Sequence, residues 1–199
     1  MNGLIRRILS ADSAVYKTHK KDLLWIAENH AKVGPVPSLA LLNRLAQIKV
    51  PSNDHSQSQV QQTIVYCLTP NLVDSVPFLP PNLAIDTFST LSILAPEESR
   101  RALCLIQDKW FENWNPAAIE KGTRRPKTKM NIQPLYDSDD RISPTMSSYH
   151  ALSALTNESL SRAVINLPCF DKYTYLQPII TALKNEHSKR TKPKLDIST

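Results

Sequence analysis

Three glycines against fifteen prolines in 199 residues constrain what this chain can fold into more than any other feature does. Tight β-turns and phosphate-cradling loops need glycine where φ is positive, and there is too little here to supply them. The prolines fall mostly between stretches whose apolar residues recur every three or four positions, which is how helices are punctuated. The predicted class is therefore all-α. Its expected form is a compact helical stack, or a right-handed superhelix of the armadillo or HEAT kind, closed by a C-terminal helical pair. No fixed-period repeat accompanies it, so a regular solenoid is not supported.

At the start, Leu4, Ile5, Ile8 and Leu9 with Arg6 and Arg7 make a short basic amphipathic segment. It is expected to dock on the core as a helix, although the pattern is also compatible with a mitochondrial presequence. Asp12 and Ser13 can cap a helix to about Val33 with Tyr16, Leu23, Ala27 and His30 on one face, stopped by Gly34-Pro35-Val36-Pro37. Ser38 opens the next, with Leu39, Leu42, Leu45, Ala46 and Ile48 inward. Ser56 with Gln59 has the form of a capping box, and Pro70 should end the helix that carries Val60, Ile64, Cys67 and Leu68. NLVDSVPFLPP reads as an irregular connector. It leads to a helix from Asn82 to about Leu94 bearing Ala84, Thr87, Phe88 and Leu91.

The strongest helix follows, PEESRRALCLIQDKWFENW. Pro96 suits its first turn, Glu97 and Glu98 suit its positive end, and Leu103, Ile106 and Trp110 share a face. The pattern closes at Trp114. The expected organisation is a helical core over residues 1–118, a basic and polar linker over 119–149, a helical pair over 150–187 and a basic tail over 188–199. In the pair, Leu152, Leu155, Leu160, Ala163, Val164 and Leu167 mark one helix. Leu176, Ile179, Ile180 and Leu183 mark the other, with Pro178 in its first turn.

Enzymatic signatures are missing from the sequence. His19, His30, His55, His150 and His187 are scattered without metal-ligand spacing, and His30 on an apolar face reads as structural. Asp137, Asp139 and Asp140 are the densest acids but fall in the linker, where nothing rigid would hold a metal. Ser138 and Ser143 sit in contexts that phosphorylation uses, and such contexts are common by chance. Cys67, Cys104 and Cys169 are odd in number, widely spaced and in no zinc or redox motif; Cys67 and Cys104, on apolar helical stretches, read as small buried hydrophobes in a reducing compartment. The expectation is no catalytic residue, no cofactor, no metal and no membrane span.

Charge is the better lead. A formal charge of +6 favours polyanionic partners, nucleic acid or an acidic protein surface. Lys121, Arg124, Arg125, Lys127 and Lys129 form an acid-free run that also has the look of a nuclear import signal. With Lys189 and Arg190 in the tail, they are the candidate residues for binding nucleic acid or an acidic partner. Trp114 is a candidate stacking surface, whereas Trp110 reads as core.

The segment LAIDTFSTLSILAPEESRRALCLIQDKWFENWNP resembles the closing helices of domains that bind the C-terminal tail of RNA polymerase II. There an Arg-x-x-Leu spacing precedes a helix ending in Trp, and the matching positions are Arg100, Leu103 and Trp110. LALLNRLAQIKV followed by QTIVYCL is similar to the helical N-terminal domains of transcription elongation factors. Together the resemblance covers about residues 38–115, and NLVDSVPFLPP departs from both families. It implies a superhelix that grips peptides and identifies no peptide-contact residue in this chain. The expected function is a non-catalytic, nuclear adaptor in transcription or RNA metabolism that binds an acidic or phosphorylated peptide. One alternative is a mitochondrial RNA-binding or ribosome-associated protein. Another is a viral or lineage-specific scaffold that oligomerises.

Overall fold

The computed structural model describes residues 1–11, 15–51, 53–111 and 144–191. Ten α-helices run through them: α1 (Asn2–Leu9), α2 (Val15–Thr18), α3 (Lys20–Glu28), α4 (Pro35–Ala46), α5 (His55–Ser75), α6 (Pro81–Leu94), α7 (Pro96–Trp110), α8 (Pro144–Ser153), α9 (Asn157–Asn166) and α10 (Gln177–Thr191). The described residues contain no strand. The all-α expectation holds, in its compact form.

Helix α1 docks as expected. Ile5 and Ile8 are buried against α4, and Arg44 Nη2 donates to the Ala11 carbonyl at 2.7 Å, pinning the chain just after α1. The single helix expected up to Val33 is instead α2, α3 and a 3-10 turn at His30–Lys32. The breaks fall at His19 and Asn29, both outside helical φ/ψ. Asn29 Nδ2 donates to the Trp25 carbonyl at 3.0 Å, a side-chain bond that competes with the backbone ladder. Tyr16, Leu23 and Ala27 are buried as expected. His30 is structural, its Nδ1–H donating to the Ala27 carbonyl at 2.9 Å.

Three helix ends differ from expectation. Helix α4 begins at Pro35, because Pro35 and Pro37 occupy a first turn whose N–H groups have no intrahelical partner anyway. The cap of α5 is Asp54, two residues before Ser56. Its carboxylate accepts from Gln57 N at 3.0 Å, and the Gln57 side chain reaches back to it. That backbone bond, foremost, holds the Asp54 carboxyl below the usual carboxylate range. Helix α5 also passes straight through Pro70. The missing N–H would have bonded the carbonyl of Tyr66, a residue 82% exposed, so the unmatched carbonyl lies on the solvent face. Only Val76–Phe78, a 3-10 turn, remains of the expected irregular connector.

Helix α6 is the centre. It packs on α4, α5, α7 and α9, and Ala84, Ile85, Phe88 and Leu91 are buried in it. Two of its inward hydroxyls find backbone partners, while Thr90 Oγ1 is buried without one. Thr87 Oγ1 donates to Leu83 O at 2.8 Å and Ser89 Oγ to Ile85 O at 2.9 Å. Ser99 of α7 donates to Phe88 O at 3.0 Å in the buried α6–α7 seam. Contacts from α6 to both α4 and α9 join the two halves of the stack.

The C-terminal helices share that core. Helix α9 packs on α6 and α10 on α7, while the Phe88 and Phe170 rings meet edge to face with centroids 5.4 Å apart. Gln107 of α7 donates to Tyr175 O at 2.8 Å, and Arg100 donates to the Tyr175 hydroxyl at 2.8 Å beneath the Tyr173 ring. One hydrophobic cluster runs from Ile5 to Leu183. Helix α8 already begins at Pro144, inside the stretch expected as linker, and α10 continues past 187 to Thr191. Helices α8 and α9 are separate because Thr156 caps α9, accepting from Ser159 N at 3.1 Å. Asn82 of α6 fixes that corner, donating to Ala154 O and accepting from Thr156 N.

Candidate functional site

Where the last turns of α7 pass the 3-10 turn after α5, the packing leaves an open cleft of about 380 Å³. Ile106, Lys109 and Trp110 contribute from one face of α7, being three and four residues apart. Val76, Pro77 and Leu79 form the opposite wall, Pro81 begins α6 below it, and His150 and Ala151 of α8 close one end. Pro77 shapes the wall: its ring starts the 3-10 turn and leaves Phe78 86% exposed beside the mouth. The floor is apolar. Ile106, Trp110, Val76 and Ala151 are buried, while Lys109 and His150 stand exposed at the rim. Such a surface can take an apolar side chain while offering positive charge to acids beside it.

The sequence candidates fall in three places. Lys121, Arg124, Arg125, Lys127, Lys129 and Trp114 lie outside the described residues, as do Ser138, Ser143 and the aspartates of the linker. Lys189 is exposed on α10, 3.9 Å from Glu186. Arg190 has partners within the chain. Its guanidinium donates to Leu155 O at 2.5 Å, Leu152 O at 2.9 Å and Glu186 Oε1 at 2.8 Å, so it holds the end of α8. Of the positions carried by the resemblance, Leu103 and Trp110 are buried and Arg100 is bound to Glu97 and Tyr175. The cleft was not legible beforehand. Its walls come from four elements, and the sequence reads Ile106, Trp110 and His150 each without reference to the others as a site.

A second polar site lies between α4, α6 and α9. Asp86 Oδ1 is buried without a hydrogen bond, 3.7 Å from Arg162 Nη1, and Arg162 Nη2 donates to Asn43 Oδ1 at 2.8 Å. Burial raises the Asp86 carboxyl above its ordinary value, against the opposing pull of Ser159 and Arg162. A raised carboxyl binds its proton more tightly folded than unfolded, so its contribution to stability is present at low pH and is lost as pH rises through the folded pKa. Asp86→Asn should therefore gain on the wild type as pH rises from about 4 to 7. Denaturant midpoints of both proteins across that range check this, and a difference that is flat with pH would refute it.

Among the described residues no cluster of His, Cys, Asp and Glu has the geometry of a metal site, and no helix is long and apolar enough to cross a membrane. None of the three cysteines is in a disulfide. No protein-family model, no curated protein and no solved structure matches the chain.

Proposed function

We propose that this protein is a non-catalytic helical interaction module of transcription or RNA metabolism, whose α7–α8 cleft receives an acidic or phosphorylated peptide. The single observation that carries the reading is the cleft itself, with its buried apolar floor and a rim bearing Lys109 and His150. An apolar side chain of the peptide would enter between Trp110 and Val76, and acidic or phosphorylated neighbours would meet the rim. The resemblance of residues 38–115 to polymerase-tail and elongation-factor domains supports this class of partner. The rigid core beneath the cleft supports a preformed rather than induced site, which lowers the ordering cost of binding.

Selection from a displayed library of short peptides tests it. The expected winners combine an apolar anchor with acidic residues. Lys109→Glu with His150→Glu, both exposed in the fold, should weaken them roughly ten-fold or more. Winners without acids, or winners indifferent to that double variant, would remove the basis for the reading.

A further inference from the structure

The charge of the chain is unevenly placed. Residues 1–51 hold eight Lys and Arg against three Asp and Glu, which is most of the net positive charge. Helix α3, from that region, runs beside α5, which has no Lys or Arg and one acid, Asp74; the two helices begin together, with Lys20 Nζ donating to Ser56 Oγ at 2.9 Å. Further along, Leu24, Ala27 and Glu28 of α3 face Thr63 and Cys67 of α5 across a shallow cleft of about 330 Å³. Each helix also carries one large exposed aromatic a single residue from that lining. Trp25 is 45% exposed next to Leu24, and Tyr66 is 82% exposed next to Cys67.

Their surroundings are cationic and hydrogen-bonding. Lys17, Lys20 and Lys21 are exposed at the entry end, with Lys21 one turn before Trp25 on the same helical face. On α5 the exposed stripe is Gln59, Gln62 and Tyr66. Two acids lie near the lysines, Asp22 bonded to His19 at 3.0 Å and Asp54 bonded to Gln57 and attracted by Lys17, so the three lysines outnumber them. Glu28 stands at the far end of the cleft, away from the lysines. A lysine cluster leading to exposed aromatic rings and amide side chains is the chemistry by which single strands are held. The cations track the backbone, the rings stack on bases, and little sequence preference results.

We propose that the α3–α5 face binds single-stranded nucleic acid, with Trp25 and Tyr66 as stacking platforms and Lys17, Lys20 and Lys21 as phosphate contacts. This site is independent of the α7–α8 cleft and stands or falls separately from it. A duplex has its base faces covered by stacking, so the face should prefer a single strand.

The test uses the full chain and fluorescently labelled single-stranded oligonucleotides, with the matching duplex as competitor, read by anisotropy at several salt concentrations. The single strand should bind more tightly than the duplex. Trp25→Ala with Tyr66→Ala should weaken it by roughly ten-fold or more while the salt dependence stays the same. Replacing the three lysines with Gln should flatten the slope of log affinity against log salt by about two, at roughly 0.7 per phosphate contact. Circular dichroism shows that each variant keeps its helices, as exposed positions should. Binding that the aromatic variant leaves unchanged would place the contact elsewhere, on the 121–129 run for example, and overturn the proposal. So would the absence of binding at low salt, and so would a concentration-dependent dimer lost with Trp25, which would make the face a contact between copies.

Discussion

Truncation of Phe88 to alanine is expected to lower the unfolding free energy by about 4 kcal/mol, near the top of the range for single changes. The side chain is fully buried at the middle of α6, and that helix touches α4, α5, α7 and α9. Removing the ring leaves a void that four neighbours must share, and their own packing limits how far they can close on it. The ring also meets Phe170 edge to face, which ties the C-terminal helices to the first seven. Denaturant unfolding should show one transition whose midpoint moves while its slope is kept. A double-mutant cycle with Phe170→Ala should return a coupling of about 1 kcal/mol. Two transitions, only one of them moved by Phe88→Ala, would show that the C-terminal helices fold apart from the stack.

Arg190→Ala is the second large effect, at about 3 kcal/mol. The last carbonyls of a helix have no partner within it, and here Leu152, Ser153 and Leu155 receive theirs from one guanidinium, at 2.9, 3.4 and 2.5 Å. The same group pairs with Glu186 and reaches Asn157 Oδ1 at 3.2 Å. Alanine would leave the part-buried Leu155 carbonyl without this donor and Glu186 with only the more distant Lys189, while Leu152 O keeps the Leu155 N–H at 3.2 Å. That loss is costlier than a lost surface ion pair. Arg190→Lys should recover less than half, because an ammonium cannot serve several carbonyls in one plane as the fork does. Chemical denaturation of both variants measures it. An Arg190→Ala protein within about 0.5 kcal/mol of the wild type would dismiss the capping role.

Helical faces were the most legible part of this protein. Leu103, Ile106 and Trp110, or Ile179, Ile180 and Leu183, stand out because side chains three and four apart must share a face, and each is buried. Helix ends were less legible, since they turn on single hydrogen bonds. Asp54 rather than Ser56 caps α5, and Pro70 does not stop it because its missing donor falls on the wet side. The bonds of Arg190 within the chain were illegible for a related reason. In sequence it belongs to a basic tail, and the carbonyls it serves lie 35 and 38 residues upstream.

Both proposed surfaces show the same division. Trp25 is an ordinary apolar residue in the sequence, and nothing local says that it is left 45% exposed. Periodicity and proline placement, acting within a few residues, determined that this chain is helical and which stripes face inward. Which helix lies against which, and so which aromatics and cations are left in the open, was decided by α6 taking neighbours from both halves of the chain. Burial lowers the free energy of any apolar stripe against any other, so the choice of partner rests on shape and on a few long-range hydrogen bonds that exist only once the chain has closed.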